Sequence, residues 1–284
     1  MIEVIHRSHG IHETVLHELC RQQGLYEAAG VDVMLRDGTG ARWATASVSP
    51  AAATVAVGGV VADWLRGDRA WIVHFVATVK PMMWVVGTGG GDSVHDLPGR
   101  RIAAPNLNQM PSLFLRLMLE RHGYDIATDV EVVEVSDRPD RLRLLESGQV
   151  DASLLGPEGL GLGASGLEPL VYVGDHIEFP TVGFAARPGL RLEVASTIAT
   201  AMGVGLERLR SDEAAAVTAM RAVDPQVPQD VVRTVFRDVI GPDWGGQAWA
   251  VSGALGDVPA LARLLEVELE STETRRFLHG WTVP

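Results

Sequence analysis

The sequence predicts an α/β fold in two lobes, each built on a largely parallel sheet. Three observations carry this. Strand and helix signals alternate from Ile2 onward, the pattern of βαβ units. The alternation restarts after a glycine-rich stretch, GTGGGDSVHD at 87–96. And 284 residues suffice for two domains of the usual ~100–200 residues each.

The elements follow in order. IEVIH (2–6) reads as a strand. HETVLHELCRQQG (12–24) reads as a helix with Ser8 as a candidate cap, Glu13 in the first turn and Gly24 at its end. After a turn at Ala29 and Gly30 come the strand VDVMLR, the glycine turn DGTG, the strand TVAVGG (54–59), the helix VADWLRG and the strand WIVHFVA. The second series reads RRIAAP as a strand, SLFLRLMLERHG as a helix, VEVVEV as a strand, RLRLLESG as a helix and DASLLG as a strand. Beyond FAARPG the chain is helical, through LEVASTIATAMGVGLERL, EAAAVTAMRAV, PQDVVRTVFRDVI and DVPALARLLEVELESTETRRFLHG. These C-terminal helices need a surface to cover, and the first lobe is the simplest one. The expected division is residues 1–86 with 183–284 as a discontinuous first lobe and 87–182 as the second, joined by crossovers near Trp84–Gly87 and Thr181–Ala185.

Composition narrows the function. Asp and Glu number 36 against 24 Lys and Arg, a net charge of −12, the wrong sign for neutralising phosphates, so nucleic acid is not an expected partner. A single cysteine, Cys20, rules out an intrachain disulfide, a zinc knuckle and a CxxC redox motif. It shares a helical face with Val15, Leu16 and Leu19 and reads as a small buried apolar residue. No run approaches the ~18 apolar residues that would span a bilayer. With no basic and apolar leader before IEVIH, a native start at Met1 implies the cytoplasm; removal of a signal segment would imply the periplasm or cell surface.

Four segments carry a resemblance. DLPGRRIAAP (96–105) is similar to the "DLKGKRIAVP" stretch of bacterial nitrate, taurine, alkanesulfonate and thiamine-precursor binding proteins. LLESGQVDASLLGPE resembles their "L-x-x-G-x-V-D-A-x-x-x-x-P-E", GLYEAAGVDVML their "G-F-F-x-x-E-G-L-D-V", and PTVGFAARPG their return strand. The four occur in the family's order. The resemblance implies a type 2 periplasmic-binding-protein-like fold with two crossover strands, a small-molecule ligand that is anionic or heteroaromatic, an ABC permease as partner if the chain is exported, and no cofactor. The chain departs from the pattern in a histidine-rich first loop and in ASVSPAAATVAVGG before the third strand.

In open α/β sheets ligands sit beyond the carboxyl ends of the strands, where loop amides and helix N-termini point outward. Applied to both lobes, that rule expects a cleft lined from the first lobe by Ser8, His9, His12, Thr39, Gly40, Arg42, Gly58, Gly59, Thr78 and Lys80. The second lobe would contribute Asn106, Asn108, Gln109, Ser112, Gly156, Glu158 and His176, with Pro157 and Asp175 beside them. His6, His9 and His12 are spaced by three, but His6 belongs to a strand and His9 to a loop, so no metal site is expected there. His9 and His12 suit ligand hydrogen bonding, proton transfer or capping. Lys80, the only lysine, follows an apolar strand and precedes a proline; it reads as an anion partner, an amine nucleophile or a solvated strand end. NLNQMPS offers amides and a hydroxyl at a helix start, for an anion or for capping by Ser112. Glu158 would accept from an amino-bearing ligand, and of the tryptophans Trp43 alone falls in a loop expected to face the cleft.

Two main functions follow from these residues. One is a hinged binding module for a small organic solute, closing on contacts that the closed state alone makes. The other is a cytosolic enzyme on the same fold, of a lyase, decarboxylase or biosynthetic type, with His9 or His12 as acid/base. A ligand-sensing subunit of a regulator is a third reading, and it would need a partner chain, since no helix-turn-helix is present.

Overall fold

The structure is a computed structural model that describes residues 2–6, 11–37, 52–78, 80–157, 159, 166–225, 228–237 and 258–266. The chain divides into two compact units, one drawn from Met1–Val79 and Pro180–Ser252 and the other from Lys80–Phe179 and Gly253–Pro284.

Unit 1 contains β1 (Ile2–His6), α1 (Ile11–Gln22), α2 (Leu25–Ala28), β2 (Val33–Asp37), β3 (Ala52–Ala56), α3 (Val57–Leu65) and β4 (Ile72–Val76). Unit 2 contains β5 (Trp84–Thr88), β6 (Arg101–Ala104), α4 (Met110–Arg121), β7 (Glu131–Glu134), α5 (Arg138–Glu146), β8 (Ala152–Leu155) and β9 (Leu167–Tyr172). The chain then returns to unit 1 as β10 (Val182–Ala186), α6 (Leu192–Ser211), α7 (Glu213–Val223) and α8 (Gln229–Val235). α9 (Val258–Leu264) belongs to unit 2.

The two sheets follow one plan. Unit 1 has the order β2-β1-β3-β10-β4, in which β1 runs parallel to β2 and β3 while β10 is antiparallel to both its neighbours. Unit 2 has the order β7-β6-β8-β5-β9, with β6 parallel to β7 and β8 and β5 antiparallel to β8 and β9. Each sheet is therefore parallel apart from one reversed strand. All the carboxyl ends of the parallel strands share one edge, together with the amino end of the reversed one.

The sequence explains the packing. On α1, Val15, Leu16, Leu19 and Cys20 form one helical face, and all four are buried. That face meets α6 and α7. The α1–α6 approach is close because position 205 is glycine: a Cβ there would lie 2.3 Å from Cys20 Sγ. α4 is apolar around most of its circumference and buries Leu113, Phe114, Leu115, Leu117, Met118 and Leu119, the signature of a helix covered on several sides. One of its covers is α9, whose Leu261 and Ala262 are buried. α6 and α7 pack on α1 in the first unit, whereas α9, expected there with the other C-terminal helices, has its apolar face taken up by α4 of the second unit. No described helix is long and apolar enough to cross a membrane.

A second difference lies at TVAVGG. β3 ends at Ala56, and Val57, Gly58 and Gly59 already belong to α3, without an intervening loop. The Val57 amide donates to the Thr181 carbonyl at 2.8 Å, which turns the chain out of the sheet one residue after the strand.

Candidate functional site

The described part of the candidate site lies along the carboxyl edge of the unit 2 sheet. β6 delivers Pro105, Asn106, Leu107, Asn108 and Gln109 into the turn before α4. Pairing of Ala104 with Glu134 sets β7 beside that turn. There Asn106 Nδ2 donates to Glu134 Oε2 at 2.7 Å, Asn106 Oδ1 accepts the Asn108 amide at 3.0 Å, and the Gln109 amide donates to the Asn106 carbonyl at 2.8 Å. An asparagine side chain that accepts from the amide two residues on is an Asx turn. It leaves the side chains of Asn106, Asn108 and Gln109 exposed at the head of α4.

Gln109 caps α4 through its backbone, with no side-chain cap bond. Pro111 in the first turn has no N–H, so Met110 and Ser112 supply the first-turn amides and the helix end is a weaker anion receptor than an uninterrupted one. The Ser112 side chain is fully buried and its hydroxyl donates to the Pro105 carbonyl at 2.7 Å. It tightens the turn from inside.

Arg141 of α5, nearly fully buried, ties this edge together. Its Nη1 donates to the carbonyls of Val135 and Ser136 at 2.9 Å each, just past β7, and its Nε to the Leu154 carbonyl of β8 at 3.3 Å. Gly156 follows β8, in a turn closed by the Gly159 amide on its carbonyl at 2.9 Å.

Two and three strand spacings along the same edge from β6, or ~10 and ~14 Å, β5 and β9 bring up a second group. Trp84 opens β5 and stacks on Tyr172, the last residue of β9, with ring centroids 4.5 Å apart. A Cβ on Gly174 would fall 2.3 Å from the Tyr172 ring, so glycine is what lets the chain turn beneath that ring. Lys80, 18% exposed, pairs with Asp175 at 3.5 Å. His176 stands next to Asp175, half-buried, with its Nδ1 3.0 Å from His122 Nε2. Burial first, and then the neighbouring His122, hold its imidazole below the usual range, with Asp175 opposing.

Among the residues expected at a site, this edge brings together Asn106, Asn108, Gln109 and Gly156, with Lys80 farther along it, whereas His176 packs on His122 just past the last residue of α4, the end of that helix remote from Asn106. Gly58 and Gly59 lie in the first turn of α3 in unit 1. Thr78 is fully buried, with its Oγ1 2.6 Å from Thr181 Oγ1 and accepting the Val182 amide at 2.9 Å, so its hydroxyl fastens the segment after β4 to the start of β10. Ser8, His9, Thr39, Gly40, Arg42, Trp43 and Glu158 lie outside the described residues, as does the side chain of His12, whose backbone is the second residue of α1. Residues that sequence reasoning missed are Glu134, Arg141, Trp84, Tyr172 and His122. The alternation of VEVVEV marks Glu134 as a strand residue, but only the β6–β7 register places it on Asn106. Among the described residues no group of three or more His, Cys, Asp or Glu could hold a metal ion.

Comparison with known proteins agrees with this architecture. The chain is similar to the periplasmic aliphatic sulphonate binding protein SsuA from Escherichia coli, at 12% identity, covering 98% of this chain and 87% of that one with a TM-score of 0.71. It is similar to the alkanesulfonate-binding protein SsuA from Xanthomonas axonopodis pv. citri bound to MOPS, at 17% identity, 82% of each chain and a TM-score of 0.65. The Candida albicans CA3427 gene product, of the generic periplasmic binding protein fold, matches at 13% identity over 100% of this chain and 96% of that one, with a TM-score of 0.68. These likenesses establish the periplasmic-binding-protein fold. No curated protein matches the chain in sequence. The model of the NMT1/THI5-like family matches residues 19–162, beginning in the last turn of α1, and the chain belongs to that family.

Proposed function

We propose that the chain binds a small organic solute, anionic or heteroaromatic, and delivers it to a membrane permease of the ABC type. The observation that carries this reading is the polar edge of unit 2, where exposed Asn106, Asn108 and Gln109 stand at the head of α4 on a fold shared with sulfonate-binding proteins. Helix N-termini and amide side chains suit a sulfonate or carboxylate head. Glu134, bonded to Asn106, adds a carboxylate to the same edge and favours solutes that also carry an amino group or ring N–H. Asn106, Asn108, Gln109 and Lys80 are the described residues assigned to the site, with Lys80 as a second positive contact. Delivery to a permease would place the protein in the periplasm or at the cell surface.

The test is calorimetric titration and thermal shift of the purified chain with alkanesulfonates, aminosulfonates, aromatic carboxylates and pyrimidines. A solute at ~100 times its Kd should stabilise the protein by ~2.7 kcal/mol, and Asn106→Ala should remove most of that shift while leaving the unliganded melting temperature near wild type. Absence of any shift across the panel, or conversion of a solute to product, would overturn the reading.

A further inference from the structure

Three histidines meet at one end of α4. His122 follows its last residue, and its Nε2 lies 3.0 Å from Nδ1 of His176 with the two rings crossing edge to face at 4.8 Å. His95, in the 3₁₀ turn Val94–Asp96, stands edge-on to His122 with centroids 5.4 Å apart, and its Nδ1 lies 2.9 Å from the Tyr124 hydroxyl. His176 ends the turn that follows β9. The Arg121 guanidinium donates to the His176 carbonyl, and Asp175 in the same turn holds Lys80. All of these groups belong to unit 2.

Two ring nitrogens 3.0 Å apart need one N–H and one lone pair between them. Neutral histidines meet that need by choice of tautomer. One added proton still leaves an N–H donor facing a lone pair. A second makes both atoms donors, with nothing between them to accept. The charged and titratable groups around the pair are Arg121 from α4, His95 from the 3₁₀ turn and Asp175 from the turn itself, with the neutral Tyr124 behind His95. Of these, Asp175 alone favours added protons, and it is engaged with Lys80.

We propose that the His122–His176 pair is an acid-released latch, closed near neutrality, that fastens the turn at 173–176 to the end of α4 and through Asp175 fixes the surroundings of Lys80. The latch goes beyond the solute-binding reading and stands without it, because every contact in it is internal to unit 2. Its sign follows from proton linkage. His176 in the closed turn titrates below its ordinary ~6.5. Between those two values the opened turn binds more protons than the closed one. The stability of the closed turn is therefore complete above about pH 6.5, is lost as pH falls through that window, and is lowest below it.

Hydrogen exchange of the backbone at 172–178, corrected for intrinsic rates, reads the latch directly between about pH 7.5 and pH 5.5. In the wild type, protection should fall by about tenfold per pH unit for each proton taken up on opening. In His122→Gln the fall should be shallower, because a side-chain amide can accept from a protonated His176 and does not itself titrate, which leaves only the burial of His176 to oppose its protonation. Protection in α6 of unit 1 serves as the internal reference. Wild-type protection that does not change with pH relative to α6, or an equal fall in His122→Gln, overturns the latch. If His122→Gln fails to fold, NMR titration of the wild type decides: coupled two-step titration of the His122 and His176 rings supports it, and two independent single-step curves centred near 6.5 refute it.

Discussion

Replacing Ser112 with alanine separates a residue that builds the site from one that touches the solute. Its hydroxyl is fully buried and donates to the Pro105 carbonyl at 2.7 Å, closing the turn that carries Asn106 and Asn108. Removing it leaves a buried carbonyl short of a donor, which costs ~1–3 kcal/mol. Alanine's better helix propensity returns a few tenths of a kcal/mol of that. A net loss of ~1.5 kcal/mol and a urea slope of ~2 kcal/mol/M give a midpoint lowered by ~0.7 M, with the slope itself unchanged. Circular dichroism during urea unfolding measures this, and titration with a panel solute on the still-folded variant measures affinity. The expected result is lower stability with an affinity within about threefold of wild type, since the hydroxyl faces inward. A wild-type midpoint together with a large loss of affinity would show that the hydroxyl serves the solute, and the inward bond would then be the wrong account of Ser112.

Two further substitutions test the packing and the lone lysine. Gly205→Ala should lower the melting temperature even though alanine gains ~1 kcal/mol over glycine in a helix, because the new Cβ lands 2.3 Å from Cys20 Sγ and overpacking costs ~1–3 kcal/mol; adding Cys20→Ala should recover much of the loss, and a Gly205→Ala protein more stable than wild type refutes the close approach. The Cys20 thiol, pushed up to about 12 by burial, should stay unreactive toward thiol reagents until the protein unfolds. Lys80 is the only lysine, so acylation has one side-chain amine to find. Asp175→Asn should speed its acylation at fixed pH by up to about fivefold, the worth of a partly exposed ion pair at ~1 kcal/mol, and an unchanged rate would show that Asp175 does not hold Lys80 in solution.

The fold was legible where local pattern decides it. Alternating apolar residues named strands that the structure forms, and α4 could be read from SLFLRLMLERHG because its burial on several sides gives an apolar run from Leu113 to Leu119 broken only by Arg116. TVAVGG misled, since nothing in its composition announces that the Val57 amide will bond Thr181, a residue of the returning segment, and start a helix. The site was half legible for the same reason. NLNQMPS marks a polar strand-to-helix turn by its residue types, whereas Glu134 reaches Asn106 only through β-sheet register. His6, His9 and His12 are regularly spaced, but His9 lies outside the described residues. The histidines that do meet, His95, His122 and His176, lie on three elements with no common spacing, and only the fold of unit 2 assembles them.

The segments that carry the family resemblance also have an assignable structural task. In DLPGRRIAAP, Arg100 donates to the carbonyls of Asp96, Thr88 and Gly90, pinning the loop between β5 and β6. Arg101 binds Asp151 of the GQVDAS stretch through both backbone and side chain, and the Arg101 guanidinium holds the Asp151 carboxyl below the usual carboxylate range. Both residues lie at the amino end of their strands, across the sheet from Asn106 and Gly156. The Arg101–Asp151 pair therefore sets the register of β6 against β8 from the amino edge, while Pro105 and Gly156 of the same two segments reach the opposite edge, so the shared motifs fix the sheet at one end and run up to the candidate site at the other.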